Sequence, residues 1–157
     1  MEEEDLKRIR SVADYQFGKG VGAKLFPENV EIAYSKRTGR IRYVYLEGKR
    51  LATLRPIDGL FSLSITGAKR IVKSNCQARC MVVVRDDVAK FVAEGGDVFA
   101  AHVVEADDAI RPKDEVIVVD KHGNVLAVGK AVLSGVEMCA FKCGVAVKVR
   151  RGCLEES

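Results

Sequence analysis

The most reactive side chains in this sequence are five cysteines, two histidines and a few close-set acids. Cys76 and Cys80 are separated by three residues, as are Cys139 and Cys143, so four thiolates fall within the looser ligand spacing of a tetrahedral zinc site. The same pairs admit a disulfide, which inside a cell is reasonable only in a hyperthermophile. An odd cysteine number argues against a disulfide framework, and reduced cysteine is a common small core residue. The expectation is free thiols with no metal and no cofactor, zinc or a disulfide standing as the alternatives. His102 reads as mid-strand and His122 as a turn residue, neither with a carboxylate or nucleophile at a useful spacing. Asp107 and Asp108 read as solvated acids of a loop. No catalytic residue is expected.

A different chemistry, anion binding, is better represented. Ala146, Lys148 and Arg150 alternate with Val145, Val147 and Val149, so a strand puts Ala146 and the two cations on one outer face, the cations about two residues apart, a spacing that suits consecutive phosphates. Arg40 and Arg42 alternate in the same way with Ile41, Tyr43 and Tyr45, where arginines reach phosphates and tyrosines stack on bases; a half-buried sheet rimmed by arginine is the competing reading. The run Gly18 to Lys24 superficially suggests a phosphate loop, yet it lacks both the Gly-Lys-Ser/Thr ending and a preceding strand, so a helix-terminating loop is expected. Charge is unevenly spread. Residues 1–75 carry 15 Lys or Arg against 9 Asp or Glu, whereas residues 76–157 carry 11 against 13. An anionic partner is favoured by the first half as a whole and by local placement in the second.

The elements that must position these groups follow from periodicity. Leu6, Ile9, Val12, Ala13 and Phe17 form the apolar stripe of a helix over residues 3–16. Strands are expected over residues 30–35, 40–46 and 51–54, with turns at 36–39 and 47–48, then a short strand and a helix over 66–73. A boundary follows near residue 75. Beyond it come a strand over 80–84, a helix capped by Asp86 or Asp87 and closed by Gly95, strands over 98–105, 115–120 and 125–133, a helix opened by the Ser134/Glu137 capping box, and the strand from Val145. Gly129 marks a bulge or bend. Short strands without regular strand-helix alternation indicate an α+β chain ending in a mixed barrel. No apolar run approaches the ~20 residues of a membrane span, and the acidic start is unlike a signal peptide, so a cytoplasmic protein is expected.

Particular strings then carry a family likeness. Val82 to Ala89, Phe91 to Ala100, Ile110 to Val116, Leu126 to Ala131 and Gly144 to Arg150 together resemble the PUA domain, named for pseudouridine synthases and archaeosine transglycosylases. Leu54 to Leu63 is similar to the domain preceding PUA in archaeal tRNA-guanine transglycosylases. The resemblance implies a small α/β domain with an antiparallel sheet over 1–75 and a PUA-type mixed β-barrel with two short helices over 76–157. It also implies binding of RNA, in particular the tRNA acceptor end, through a glycine loop whose carried-over residues are Gly95, Gly96, Asp97, Val98, Phe99 and Ala100, with Lys148 and Arg150 nearby. The large barrel bearing the aspartates and zinc ligands of those enzymes is missing from this sequence. The expectation is a non-catalytic RNA-binding module of tRNA modification, the alternatives being the obligate subunit of a split transglycosylase with a separate catalytic chain, or a protein-interaction adaptor.

Overall fold

Three acids, Glu3, Glu4 and Asp5, open the first helix where its dipole favours negative charge, and the apolar stripe buries Leu6, Ile9, Ala13 and Phe17. In this computed structural model, which describes residues 3–75 and 77–155, helix α1 spans Glu3–Phe17 and Gly18 ends it at φ 131°. The glycine run then does more than terminate a helix. It forms a second, five-residue helix, α2 (Val21–Leu25), which the sequence reading missed. Gly22 lies so close to α1 that a Cβ placed on it would sit 2.2 Å from the Arg10 carbonyl oxygen, and its amide donates to Asp14 Oδ1 at 2.6 Å. The run is a helix-packing device, with its amide held by a side chain of the chain itself.

Strands β1 (Glu31–Tyr34), β2 (Ile41–Leu46), β3 (Lys49–Leu54) and β4 (Phe61–Leu63) form an antiparallel meander in sequence order. Glu47 and Gly48, both at positive φ (51° and 81°), make the two-residue turn between β2 and β3 that matches the twist of a hairpin. Helix α3 (Ile65–Lys73) starts at Ser64, whose hydroxyl oxygen accepts from the Gly67 amide at 3.0 Å. The outer edge of β4 is taken by Gln16 of α1: its amide donates to the Phe61 carbonyl at 2.8 Å and accepts from the Phe61 amide at 2.7 Å. Phe61 meanwhile packs on Phe26, ring centroids 5.1 Å apart, within a core that includes Phe17, Leu25, Leu51 and Ile71.

One sequence expectation is corrected in β2. Strict alternation put Ile41 with Tyr43 and Tyr45, but the β1–β2 register slips at Arg42, so Ile41 and Val44 are the buried residues. A bulge opposes two residues to one and restores the alternation out of phase.

The chain divides into two compact units, Met1–Ala78 and Arg79–Ser157. In the second, β5 (Met81–Val84), β6 (Val98–Phe99), β7 (Val103–Ala106), β8 (Glu115–Val119), β9 (Val125–Ala131) and β10 (Val145–Gly152) form one mixed sheet in the order β6-β10-β9-β8-β5-β7. The sheet curls into a nearly closed barrel. Only β5 and β8 run parallel. Val82, Val84, Val98, Val116, Val118, Leu126 and Val147 fill it, with α4 (Ala89–Ala93) and α5 (Gly135–Ala140) packed on the sheet. The Ser134/Glu137 capping box forms with both reciprocal hydrogen bonds.

Four further readings are corrected. Asp86 and Asp87 do not cap the helix: they belong to a 3-10 turn ahead of α4, and Asp87 pairs with Arg85. The expected strand over 98–105 is broken by a second 3-10 turn at Ala100–His102, so His102 is a turn residue. Gly129 is not itself bulged but faces β10, where a Cβ would lie 2.2 Å from the Lys148 carbonyl. In β10 the register slips at Ala146 and again at Arg150, so Ala146 is buried beside Val147 instead of facing outward.

The close approach of α2 to α1 yields a measurable consequence. Gly22→Ala should lower the unfolding free energy by roughly 1–3 kcal/mol through overpacking against backbone, while Lys19→Ala, exposed in the same run, should stay within about 0.5 kcal/mol; urea denaturation midpoints distinguish them.

Candidate nucleic-acid interface

The glycine loop after α4 has a specific local cause. Helix α4 ends at Glu94, Gly95 enters the left-handed region at φ 103°, its amide donates to the Val92 carbonyl at 2.9 Å, and the Gly96 amide donates to the Phe91 carbonyl at 2.9 Å. This pair of hydrogen bonds is the Schellman motif. Gly96 also admits the Phe91 ring, whose nearest atom would lie 2.3 Å from an added Cβ. The Glu155 carboxylate crowds Gly95 from the other side, accepting from the Gly152 amide at 2.6 Å. Both loop amides therefore have partners within the protein. Neither amide is free to receive a phosphate, and a phosphate beside Gly95 would meet the Glu155 charge.

The remaining carried-over residues divide sharply. Val98 and Ala100 are core residues. Asp97 Oδ1 accepts from the Val149 amide at 2.9 Å, tying the loop to β10. Phe99 alone of the six presents a large side chain, 39% exposed, with its ring edge-to-face against His102 at 6.0 Å. An exposed aromatic ring has the chemistry to stack on an unpaired base.

The two predicted cations on β10 also differ. Arg150 makes a bidentate ion pair with Glu115, Nη1 donating to Oε1 at 2.9 Å and Nη2 to Oε2. Glu115 is the buried acid of the core region, 2% exposed. Much of the Arg150 charge is matched internally. Lys148 is exposed, and the β9–β10 register sets it directly opposite Lys130, also exposed. Like charges facing across a ladder are destabilising. Among the described residues neither lysine forms an ion pair within 4 Å; Glu115, set opposite Lys130 in the β8–β9 register, is engaged by Arg150. Sequence reasoning missed Lys130, because only the pairing of two strands separated by a helix brings it to Lys148. Phe99 pairs with Val145, three positions before Lys148 on the same strand. Residues Phe99, Lys130 and Lys148 thus combine an aromatic with two unmatched cations.

On the first unit, Arg40 and Arg42 lie at the start of β2, exposed and half-buried. The guanidinium of Arg42 stands 5.7 Å from the centre of the Tyr43 ring, which in turn is 6.2 Å from that of Tyr45. Arginine and tyrosine are therefore side by side, as the bulge at Arg42 requires.

The other candidate groups form no reactive constellation. Cys80 is buried, Cys139 and Cys143 are exposed, and Cys76 lies outside the described residues. Among the described residues no three His, Cys, Asp or Glu side chains gather as a metal site. A hydrogen bond from Arg85 lowers the Asp87 carboxyl below its ordinary value, and burial pushes the Asp107 carboxyl up. Asp107 lines an open pocket together with the exposed Cys139, and no hydrogen bond links the two among the described residues.

The contrast between the two β10 cations can be measured. Arg150→Ala removes the bidentate ion pair to the buried Glu115, and stability should fall by about 2 kcal/mol, less than for a fully buried pair because Arg150 is part-exposed. Lys148→Ala should move the urea midpoint by less than the equivalent of about 0.5 kcal/mol.

Residues 7–77 match the family model of the patch-forming domain C2 of tRNA-guanine transglycosylase, and residues 81–153 match that of the PUA domain. The tRNA-guanine(15) transglycosylase of Methanobrevibacter smithii is 45% identical over 150 residues, covering 95% of this chain and 23% of the enzyme. That of Pyrococcus furiosus is 47% identical over 148 residues, covering 94% and 25%. The chain thus spans about a quarter of the length of the relatives it matches. Among solved structures, a hypothetical protein of Pyrococcus horikoshii OT3 superposes with a TM-score of 0.78 at 26% identity, over 99% of this chain and 94% of its own. A PUA-domain protein of Thermoplasma acidophilum shares the fold, with a TM-score of 0.74 at 23% identity over 99% and 93%. A patch-forming C2 domain followed by a PUA domain makes this chain a PUA-domain protein, related to the C-terminal region of the archaeal tRNA-guanine transglycosylases.

Proposed function

We propose that this protein binds RNA, specifically tRNA near its acceptor end, and contributes recognition without catalysis to tRNA modification. The observation that carries the proposal is that its matched length, nearly the whole chain, lies within enzymes named for modifying a tRNA base. Geometry supports it through Phe99, Lys130 and Lys148: lysines give the sequence-independent, salt-sensitive part of affinity, and an aromatic gives the contact to unstacked bases. The Gly95–Ala100 segment serves this surface by holding Phe99 in place through the Schellman turn and the Asp97 hydrogen bond. Arg150 acts from behind, fixing β10 through Glu115. The Arg40 and Arg42 side chains give the first unit a basic surface of its own.

Filter binding of tRNA with and without its single-stranded 3′ end, across a salt series, tests this reading. Binding should weaken when the 3′ end is removed and fall steeply with salt. The double variant Lys130→Ala/Lys148→Ala should lower the slope of log affinity against log salt by about two. Equal affinity for both tRNAs, with no change in slope, would favour the adaptor role instead.

A second reading is the recognition subunit of a split transglycosylase that works with a separate catalytic chain; the match of nearly the whole chain to a region of enzymes named for transglycosylation favours it. Incubated alone with tRNA and a labelled deazaguanine base, the protein should incorporate no label. Incorporation would overturn the non-catalytic assignment.

A further inference from the structure

The meander of the first unit gathers arginines at one end of its sheet. Turns β1–β2 and β3–β4 necessarily lie at the same end, opposite the Glu47–Gly48 hairpin. The two are built alike. Ser35 donates its amide to the Arg40 carbonyl at 2.7 Å and accepts from the Gly39 amide at 2.8 Å; Arg55 donates to the Leu60 carbonyl at 2.8 Å and accepts from the Gly59 amide at 2.9 Å. Gly39 and Gly59 occupy the equivalent position at φ 72° and 70°. Between the turns lies a cleft of about 440 Å³, lined by Arg37, Arg40, Arg42 and Arg55 together with Ser35 and Thr38, and by no acidic residue.

Three of the four arginines are not matched by carboxylates among the described residues. Among the described residues Arg37, Arg40 and Arg42 have no ion-pair partner, whereas Arg55 is held by Asp58, Nε at 3.2 Å from Oδ1 and Nη2 at 3.0 Å from Oδ2. That pair fixes the Arg55 guanidinium while leaving Nη1 buried with no hydrogen-bond partner. A buried donor on a charged group calls for an acceptor. The Ser35 and Thr38 hydroxyls each accept a backbone amide at 3.3 Å, which leaves their O–H hydrogens to donate. Planar guanidinium donors with hydroxyls and no carboxylate suit a phosphate oxygen, and the volume falls within the roughly 300–1,000 Å³ of small-ligand sites, room for a phosphate and its adjoining ribose.

We infer that this four-arginine cleft is a second nucleic-acid site, in which Arg37, Arg40, Arg42 and the free edge of Arg55 clamp one phosphodiester of an RNA backbone. The inference rests on the RNA-binding reading and deepens it by naming a contact on the C2 domain. The cleft is formed by two turns on a sheet, so its geometry exists before RNA arrives. Arg40 closes the first turn and Arg55 opens the second, and a single phosphate bridges them.

The test uses the full chain and an RNA hairpin. Arg40→Gln and Arg55→Gln, measured separately, should each weaken binding roughly tenfold at low salt and make the salt slope shallower by about one. Arg40→Gln removes no ion pair within the protein, so it tests the site even if Arg55→Gln disturbs its turn. The ¹⁵N–¹H signals of the Arg40 and Arg55 Nε groups should shift on adding RNA. Inorganic phosphate and a nucleoside monophosphate are the competing probes: if either shifts those signals at concentrations as low as the RNA, the cleft is a site for a free phosphate compound and the backbone assignment fails. If both variants bind RNA as the parent does while Lys130→Ala/Lys148→Ala weakens it, the cleft inference fails and the RNA-binding reading stands. A parent protein that binds no RNA overturns both.

Discussion

Closing a small barrel places one demand on the second unit that everything else answers to: β10 must pair with β6 on one side and β9 on the other while turning a corner. A straight eight-residue strand cannot meet both neighbours, because closure requires the strands to tilt and coil. Two extra residues, Ala146 and Arg150, relieve the mismatch. At the first bulge Ala146 and Val147 both enter the core. At the second, Arg150 is displaced from the regular alternation and finds Glu115, while the neighbouring Gly129 lets β9 approach the backbone of β10. The Asp97 carboxylate takes the Val149 amide between them. The exposed pair Lys130–Lys148 is a by-product of that register, and so is the position of Phe99.

Those dependencies explain what the sequence disclosed. Local signals were legible: the Ser134/Glu137 capping box, the stripe of α1, the Glu47–Gly48 turn and the termination of α4 at Gly95 each depend on residues within a few positions of one another. The succession of most elements along the chain and the family likeness were legible too. Hidden were features set by distant partners. Arg150 and Glu115 are 35 residues apart, and nothing in either neighbourhood marks them as a pair. Alternation failed in β2 and β10 for one reason, since a bulge is dictated by the partner strand and leaves no local signature when the bulged residue is Arg or Ala. Helix α2 escaped because glycines ordinarily end helices, and here Gly22 is required by a crossing with α1 that periodicity cannot reveal.

The same division runs through the candidate interface. A family likeness pointed to the segment Gly95–Ala100 as a unit, yet its members do separate jobs: two cap a helix, one ties down a strand, two fill the core and one faces outward. Sequence proximity to a ligand and contact with it are different properties. The cationic side chains follow the opposite pattern, since Lys130 lies in a stretch that carries the family likeness yet was not among the cations singled out. On the first unit the arginines at the sheet end likewise come together through the repetition of a turn, not through adjacency along the chain.

Gln16 has a bearing on how this protein behaves among copies of itself. A sheet edge invites another strand, and the amide and carbonyl of Phe61 would be its docking points. By answering both with one side-chain amide, α1 imitates the backbone of a fifth strand and then offers nothing beyond it. Growth of the sheet past β4 is thereby stopped by a single residue borrowed from a helix, which leaves Phe61 with no free backbone group to lend a neighbouring copy.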